Sequence, residues 1–153
     1  TDYVLRECAL IEVVRQAVRK YAPLFIRNKT ALDLRPLDTR VLTDEKWLCF
    51  CIEQILSNAV KYAPGGKVSI FAEGDTLVIR DNGIGIMPED LPRIFERGFT
   101  GYNGRTDKKA TGIGLYLTKQ ILTKLGHAIQ IDSAPEKGTT VKIDLSAKPR
   151  DFE

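Results

Sequence analysis

The sequence predicts a mixed α+β domain, on three observations. At 153 residues the chain has the size of one domain. Hydrophobic residues at 43% and charged residues at 28% provide for a packed core and speak against disorder. Short β-rich runs lie near both ends of the chain, with three segments of helical period among them.

Taken in order, residues 2–8 alternate enough for an opening strand. Leu10 to about Tyr21 then read as a helix, because Ile11, Val14, Ala17, Val18 and Tyr21 recur at i+3/i+4 spacing. Pro23 is expected to loosen or end it. Residues 31–42 read as two short strands around a Pro36–Asp38 turn. Thr43 or Asp44 caps the next helix, in which Leu48, Ile52, Ile55, Ala59 and Ala63 form one apolar stripe. Pro64-Gly65-Gly66 stops it. Residues 67–73 and 76–80 are strands joined by Gly74-Asp75, a two-residue hairpin signal. The stretch from Asp81 to Thr111 loses all period and is rich in glycine, and a segment of that length inside a domain reads as a functional lid. A third helix spans about Gly112 to Leu125. Two strands, around Ala128–Ser133 and Thr139–Ser146, flank a Pro135–Gly138 turn.

Several classes drop out on composition. The longest apolar run, Trp47 to Ile52, is far short of the roughly 18–20 residues a membrane span needs. No basic region followed by an apolar one opens the chain as a signal peptide would. Thr1 opens it in place of Met, so the chain is expected to be a piece of something longer. Three cysteines, Cys8, Cys49 and Cys51, sit in apolar stretches without a C-x-x-C, which points to buried reduced thiols and against a disulfide framework or structural zinc. A net charge of +3 does not by itself imply a nucleic-acid partner. The basic run containing Arg105, Lys108 and Lys109 has no interleaved aromatics and reads as a solvated lid tip.

Three stretches carry chemistry. At about 100° per residue, Gln54, Asn58 and Lys61 fall within roughly 60° of one another, opposite the apolar stripe, with Tyr62 at the edge. An amide oxygen there suits Mg²⁺, and a lysine can neutralise phosphate; an ordinary solvated helix face has the same pattern. Asp81-Asn82-Gly83-Ile84-Gly85-Ile86 follows a strand, so its carboxylate could accept from an exocyclic amine while the glycines permit close backbone approach; alone it is equally a tight turn. Thr111-Gly112-Ile113-Gly114-Leu115 opens a helix, where free N–H groups and the dipole favour phosphate, although G-x-G by itself is a weak signal. Neither a dinucleotide fingerprint nor a P-loop is present.

In this order the stretches resemble the boxes of bacterial sensor histidine kinases. Residues 53–62 (EQILSNAVKY) resemble the N box, 81–86 (DNGIGI) the G1 box, 94–99 (IFERGF) the F box and 111–115 (TGIGL) the G2 box, while Gly138-Thr139-Thr140 is similar to the family's last strand. Residues 44–48 (DEKWL) look like the envelope-stress kinases of Gram-positive bacteria. The resemblance covers essentially the whole chain. It implies the Bergerat ATP-binding fold, a two-layer α/β sandwich with a mixed, mainly antiparallel sheet and helices on one face. It further implies one catalytic domain over 1–153 that binds Mg-ATP, with residues 87–110 as a lid that is mobile without nucleotide.

By the same resemblance, Asn58 would ligate Mg²⁺ and Lys61 would contact phosphate. Tyr62 would lie near adenine or ribose, and Asp81 would accept the adenine amine with Thr139 in support. Gly83, Gly85 and Ile86 would shape the base pocket, and Gly112, Gly114 and Leu115 would form the lid hinge. Gln54 stands where many sensor kinases carry asparagine and the related ATPases a glutamate that activates water; a neutral amide is no general base, so vigorous hydrolysis is disfavoured. Glu53 is turned about 100° away from that position. The expected chemistry is phosphoryl transfer by positioning and charge neutralisation to a histidine on a separate dimerisation domain, with a response regulator downstream. The parent would be anchored in the cell membrane with this domain on the cytoplasmic side, not itself inserted and without a nucleic-acid partner. His127, the single histidine, is followed by alanine, lies between a helix and a strand, and reads as structural. A stand-alone serine kinase and an ATP-gated interaction module share the fold and remain as alternatives.

Overall fold

The centre of the molecule is set by one helix that has no exposed residue from Trp47 to Ala63. The computed structural model describes residues 2–99 and 114–146. Its elements run β1 (Arg6–Ala9), α1 (Leu10–Arg27), β2 (Ala31–Leu34), β3 (Arg40–Thr43), α2 (Glu45–Tyr62), β4 (Lys67–Glu73), β5 (Thr76–Asp81), α3 (Gly114–Lys124), β6 (Ala128–Ala134) and β7 (Gly138–Asp144), with a 3-10 turn at Leu91–Arg93 after β5. α2 is the central helix. Asp44 caps it by accepting from Trp47 N at 3.3 Å, and its other carboxylate oxygen accepts from Val4 N at 2.8 Å, so one side chain starts the helix and ties down the incoming chain.

The expected stripe of Leu48, Ile52, Ile55, Ala59 and Ala63 is buried throughout. Cys49, Cys51, Leu56 and Val60 are buried as well, because α1 and α3 flank α2 while the sheet lies beneath. The face carrying Gln54, Asn58 and Lys61 is therefore half-buried, not the solvated side opposite the stripe. Periodicity within one helix cannot register what its neighbours cover.

α1 also departs from expectation. Val14 and Ala17 are buried as the spacing predicts, with Leu10 and Val13 joining them and Ile11, Val18 and Tyr21 half-buried beside them. The helix runs through Pro23 to Arg27. Pro23 is exposed, so the carbonyl it leaves without a helical donor can face water, and the last turn is held from beyond. Phe25 buries itself in the core, and Asn28 closes the end by donating from its backbone N (3.0 Å) and its Nδ2 (2.9 Å) to Leu24 O. Gly65 N donates to Asn28 O and Thr30 Oγ1 to Ala63 O, joining the C-termini of α1 and α2.

Five strands form the main sheet in the order β2-β4-β5-β7-β6, with only the β2–β4 pair parallel. β1 and β3 form a separate antiparallel pair, so the two strands flanking the Pro36–Asp38 turn part company and enter different sheets. The opening strand is only four residues long, shorter than expected. On the inner face the register aligns Leu77, Ile143 and Ile129 in one row and Ile79, Val141 and Ile131 in the next. These rows meet the helices across the core. The large apolar residues of the outer face are Val78 and Phe71, whose ring carries the Arg35 guanidinium 4.5 Å from its centroid and that of Arg80 at 5.2 Å. The result is a two-layer α+β sandwich with a mixed, mainly antiparallel sheet.

Candidate nucleotide site

The third inner-face row is polar. Strand period two and the observed register set Asp81, Thr139 and Ser133 side by side at the ends of β5, β7 and β6. Above them stand Ile55, Asn58, Ala59 and Tyr62 of α2, and Leu115 of α3 and Ile86 complete the walls. Together with Ile79, Val141 and Ile131 these residues enclose a cavity of about 430 Å³ counted to its open mouth, with Asp81 and Thr139 on its lining. Apolar walls around a few converging polar groups are the ordinary make-up of a small-molecule site.

Asp81 is 7% exposed. Burial raises its pKa above the usual carboxylate range, and hydrogen bonds from the backbone N–H of Gly83, at 2.8 Å, and of Thr139 act in the opposite direction. A carboxylate this enclosed is ready to receive a donor from something inside the cavity.

The loop after β5 is fixed by backbone contact. Ile84 N donates to Tyr62 O at 3.1 Å, Glu136 N donates to Ile84 O at 2.7 Å, and Ile86 N donates to Ser133 Oγ at 2.8 Å. Gly85 has φ +77°, and a Cβ there would overlap the carbonyl of Ala134; a Cβ on Gly83 would overlap that of Tyr62. The close approach that needs both glycines is to the protein's own backbone, and neither lines the cavity. They hold Ile86 in place from behind.

Of the expected site residues, Asn58, Tyr62, Asp81, Ile86, Leu115 and Thr139 converge on the cavity. Gln54 does not line it; its Oε1 lies against Gly114 at the start of α3, 3.0 Å from where a Cβ would stand. Lys61 Nζ lies 5.7 Å from the Tyr62 ring centroid. Gly112, and residues 100–110 of the expected lid, lie outside the described residues. Ser133 and the wall residues Ile55, Ala59, Ile79, Ile131 and Val141 are not among the residues the sequence marks for the site. For Ser133 the sequence carries no signal: counting back from the Pro135–Gly138 turn would pair Ala134 with Thr139, and only the observed register sets Ser133 opposite Thr139.

Groups set aside from the sequence behave as buried structure. Glu53 faces α1, with Lys20 Nζ at 3.2 Å and Cys49 Sγ donating at 3.4 Å. His127 is buried with Nε2 2.9 Å from Thr43 Oγ1. All three cysteines are buried, and burial pushes Cys49 up to about 11 and Cys51 up to about 12, so both are protonated thiols at neutral pH. Among the described residues no cluster of three or more His, Cys, Asp or Glu could hold a metal ion, and no helix is long and apolar enough to cross a membrane.

Residues 43–149 match the family described as histidine kinase-, DNA gyrase B-, and HSP90-like ATPases. The chain belongs to that family. Among curated proteins it is 35% identical over 96% of its length to the sensor histidine kinase YxdK of Bacillus subtilis, and 39% identical over 91% to the sensor protein BceS of Halalkalibacterium halodurans. It is 45% identical over 70% of its length to the sensor protein kinase GraS of Staphylococcus aureus. It spans about half of YxdK (47%) and less of BceS (43%) and GraS (32%). Within the family the chain is thus a catalytic domain of the sensor histidine kinase kind, and these relatives agree with the Gram-positive envelope-stress type. The mycobacterial sensor kinase MprB superposes with TM-score 0.75 at 26% identity, covering 92% of this chain and 95% of that one. The catalytic domain of the histidine kinase ThkA superposes at 0.78 and 19% identity over 96% of this chain and 99% of its own, a likeness of fold.

Proposed function

We propose that the chain binds Mg-ATP in the cavity beneath α2 and presents the γ-phosphoryl group to a histidine on a separate dimerisation domain of a sensor kinase. The parent would sit in the membrane, keep this domain on the cytoplasmic side, and pass the phosphoryl group on to a response regulator. The observation that carries the reading is the buried Asp81 carboxylate at the floor of an apolar slot. Ile55, Ile79 and Val141 suit the faces of a flat base, and Asp81 with Thr139 suits a donor on its edge.

The residues also fit a magnesium ion that arrives with its nucleotide. Asn58 supplies a neutral hard oxygen on the lining, and the lack of an acidic cluster among the described residues leaves phosphate oxygens and water as the other ligands. Bound there, the ion would neutralise charge on the phosphates. The chain's own residues then bind and orient. Asp81 and Thr139 hold the base, Ile86 and the α2 wall exclude water from it, and Lys61, on the same helix as Asn58, supplies positive charge on the phosphate side. Residues 87–110 would act as the lid, hinged at Gly112, Gly114 and Leu115. With Gln54 in place of a general base, and Glu53 turned to Lys20, vigorous hydrolysis is disfavoured and the phosphoryl group is kept for transfer.

Calorimetric titration with a non-hydrolysable ATP analogue tests the site. Binding is expected, stronger with Mg²⁺ than without, and lost in Asp81→Asn; unchanged affinity in that variant overturns the assignment. With labelled ATP this chain alone is expected to take up no phosphate, and label on it would refute the need for a separate acceptor.

A further inference from the structure

Ser133 lies at the end of the polar row with its hydroxyl fully engaged. Its Oγ accepts from Ile86 N at 2.8 Å, donates to the Gly138 carbonyl at 2.9 Å, and lies 2.8 Å from Thr139 Oγ1. A serine hydroxyl has one proton, an amide N–H can only donate and a carbonyl can only accept. All three contacts form together only if the single proton of Ser133 goes to Gly138, and in that arrangement Thr139 is the donor of the remaining contact.

The consequence falls inside the cavity. Thr139 also has a single hydroxyl proton, and Ser133 takes it, so Thr139 turns only lone pairs toward the space it lines. Beside it stands Asp81, which when ionised also only accepts. The floor is thus built of acceptors alone, and this is a property of the hydrogen-bond chain, not of Thr139 taken singly. We propose that Ser133 is a specificity-determining positioning residue: by holding the Thr139 proton it makes the floor select a base with an exocyclic amine over one with a carbonyl at the same place. The inference rests on the reading of this cavity as the nucleotide site. Adenine offers an amine where hypoxanthine offers a carbonyl oxygen, and an oxygen aimed at two buried acceptors finds no partner.

The test compares ATP with ITP, both with Mg²⁺, by calorimetry on the full chain, with thermal melts to confirm folding. The wild type is expected to prefer ATP by roughly tenfold or more, the worth of one unpaired buried polar group. In Ser133→Ala the Thr139 proton is released to rotate toward the base, and the ATP:ITP ratio is expected to fall several-fold. Ser133→Thr, which keeps the hydroxyl, should retain the wild-type ratio. Thr139→Val should also narrow it, and in that background Ser133→Ala should add nothing further.

A merely structural role for Ser133 would weaken both nucleotides alike and leave the ratio where it was, which overturns the proposal. An equal narrowing with and without Thr139 would assign the effect to Ile86 and overturns it too. Should Ser133→Ala fail to fold, Thr139→Val decides, and a ratio unchanged there sinks the idea. Wild-type protein that binds ATP and ITP equally refutes this inference alone. Protein that binds neither refutes the nucleotide site and the inference with it.

Discussion

Burial of the Asp81 carboxylate works against folding and in favour of recognition. Its folded pKa lies above the ordinary value of 3.8 because desolvation penalises the charged form. Above the raised folded value the side chain is charged in both folded and unfolded protein, and that penalty is fully present. As pH falls through the raised folded value the native state binds its proton first, so the penalty is relieved and stability from this group rises. Asp81→Asn is accordingly expected to leave the urea midpoint at pH 7 unchanged or higher while nucleotide binding is lost, with its stability advantage shrinking toward acid pH. Nucleotide affinity of the wild type should fall across the same acid window, since a protonated carboxyl is a poorer acceptor. Asn58→Asp puts a negative charge on the lining, and the expected result is weaker binding of the metal-free nucleotide with binding retained when Mg²⁺ is present. Titrations with and without EDTA measure the difference. At this scale the chemistry-bearing residues were legible in the sequence, because Asp81, Asn58 and Thr139 stand in short stretches whose types and order announce them. Ser133 was not, since nothing local distinguishes it from any other strand serine until register pairs it with Thr139.

At the scale of elements, periodic pattern found the three α-helices of the described residues and the two long hairpins, and failed where two elements meet. Pro23 illustrates this. The local rule ends a helix there, yet the contacts of Phe25, Asn28 and Thr30 with the rest of the molecule carry α1 onward. Because Pro23 is exposed, replacing it by alanine restores a helical donor without disturbing packing, and Pro23→Ala is expected to stabilise the protein by about 1 kcal/mol in urea unfolding. Gly85 is the opposite case. Its φ of +77° and the adjacent Ala134 carbonyl leave no room for a side chain, and Gly85→Ala should cost upwards of about 3 kcal/mol, as backbone strain adds to overlap. The loop carrying Ile86 would shift with it, so nucleotide affinity should fall as well as the unfolding midpoint.

Seen whole, the molecule is organised around α2, which touches α1, α3 and the sheet and whose C-terminal half roofs the cavity. Stability and site therefore share one element. Ile52 is fully buried away from the cavity lining, and Ile52→Ala is expected to cost about 2–5 kcal/mol in urea unfolding while binding by the folded fraction is retained. What the sequence by itself determined was the set of elements, the class of fold and the family, because box residues and apolar stripes are local properties of a chain. What only the tertiary structure decided was which surfaces face one another. β2 and β3 leave their common turn for different sheets, the polar side of α2 is half covered by its neighbours, and the two loop glycines meet protein backbone. Each of these depends on contacts between residues far apart in the chain, whose energies no local pattern contains, and the proton order along Gly138, Ser133 and Thr139 exists only once β6 and β7 are in register.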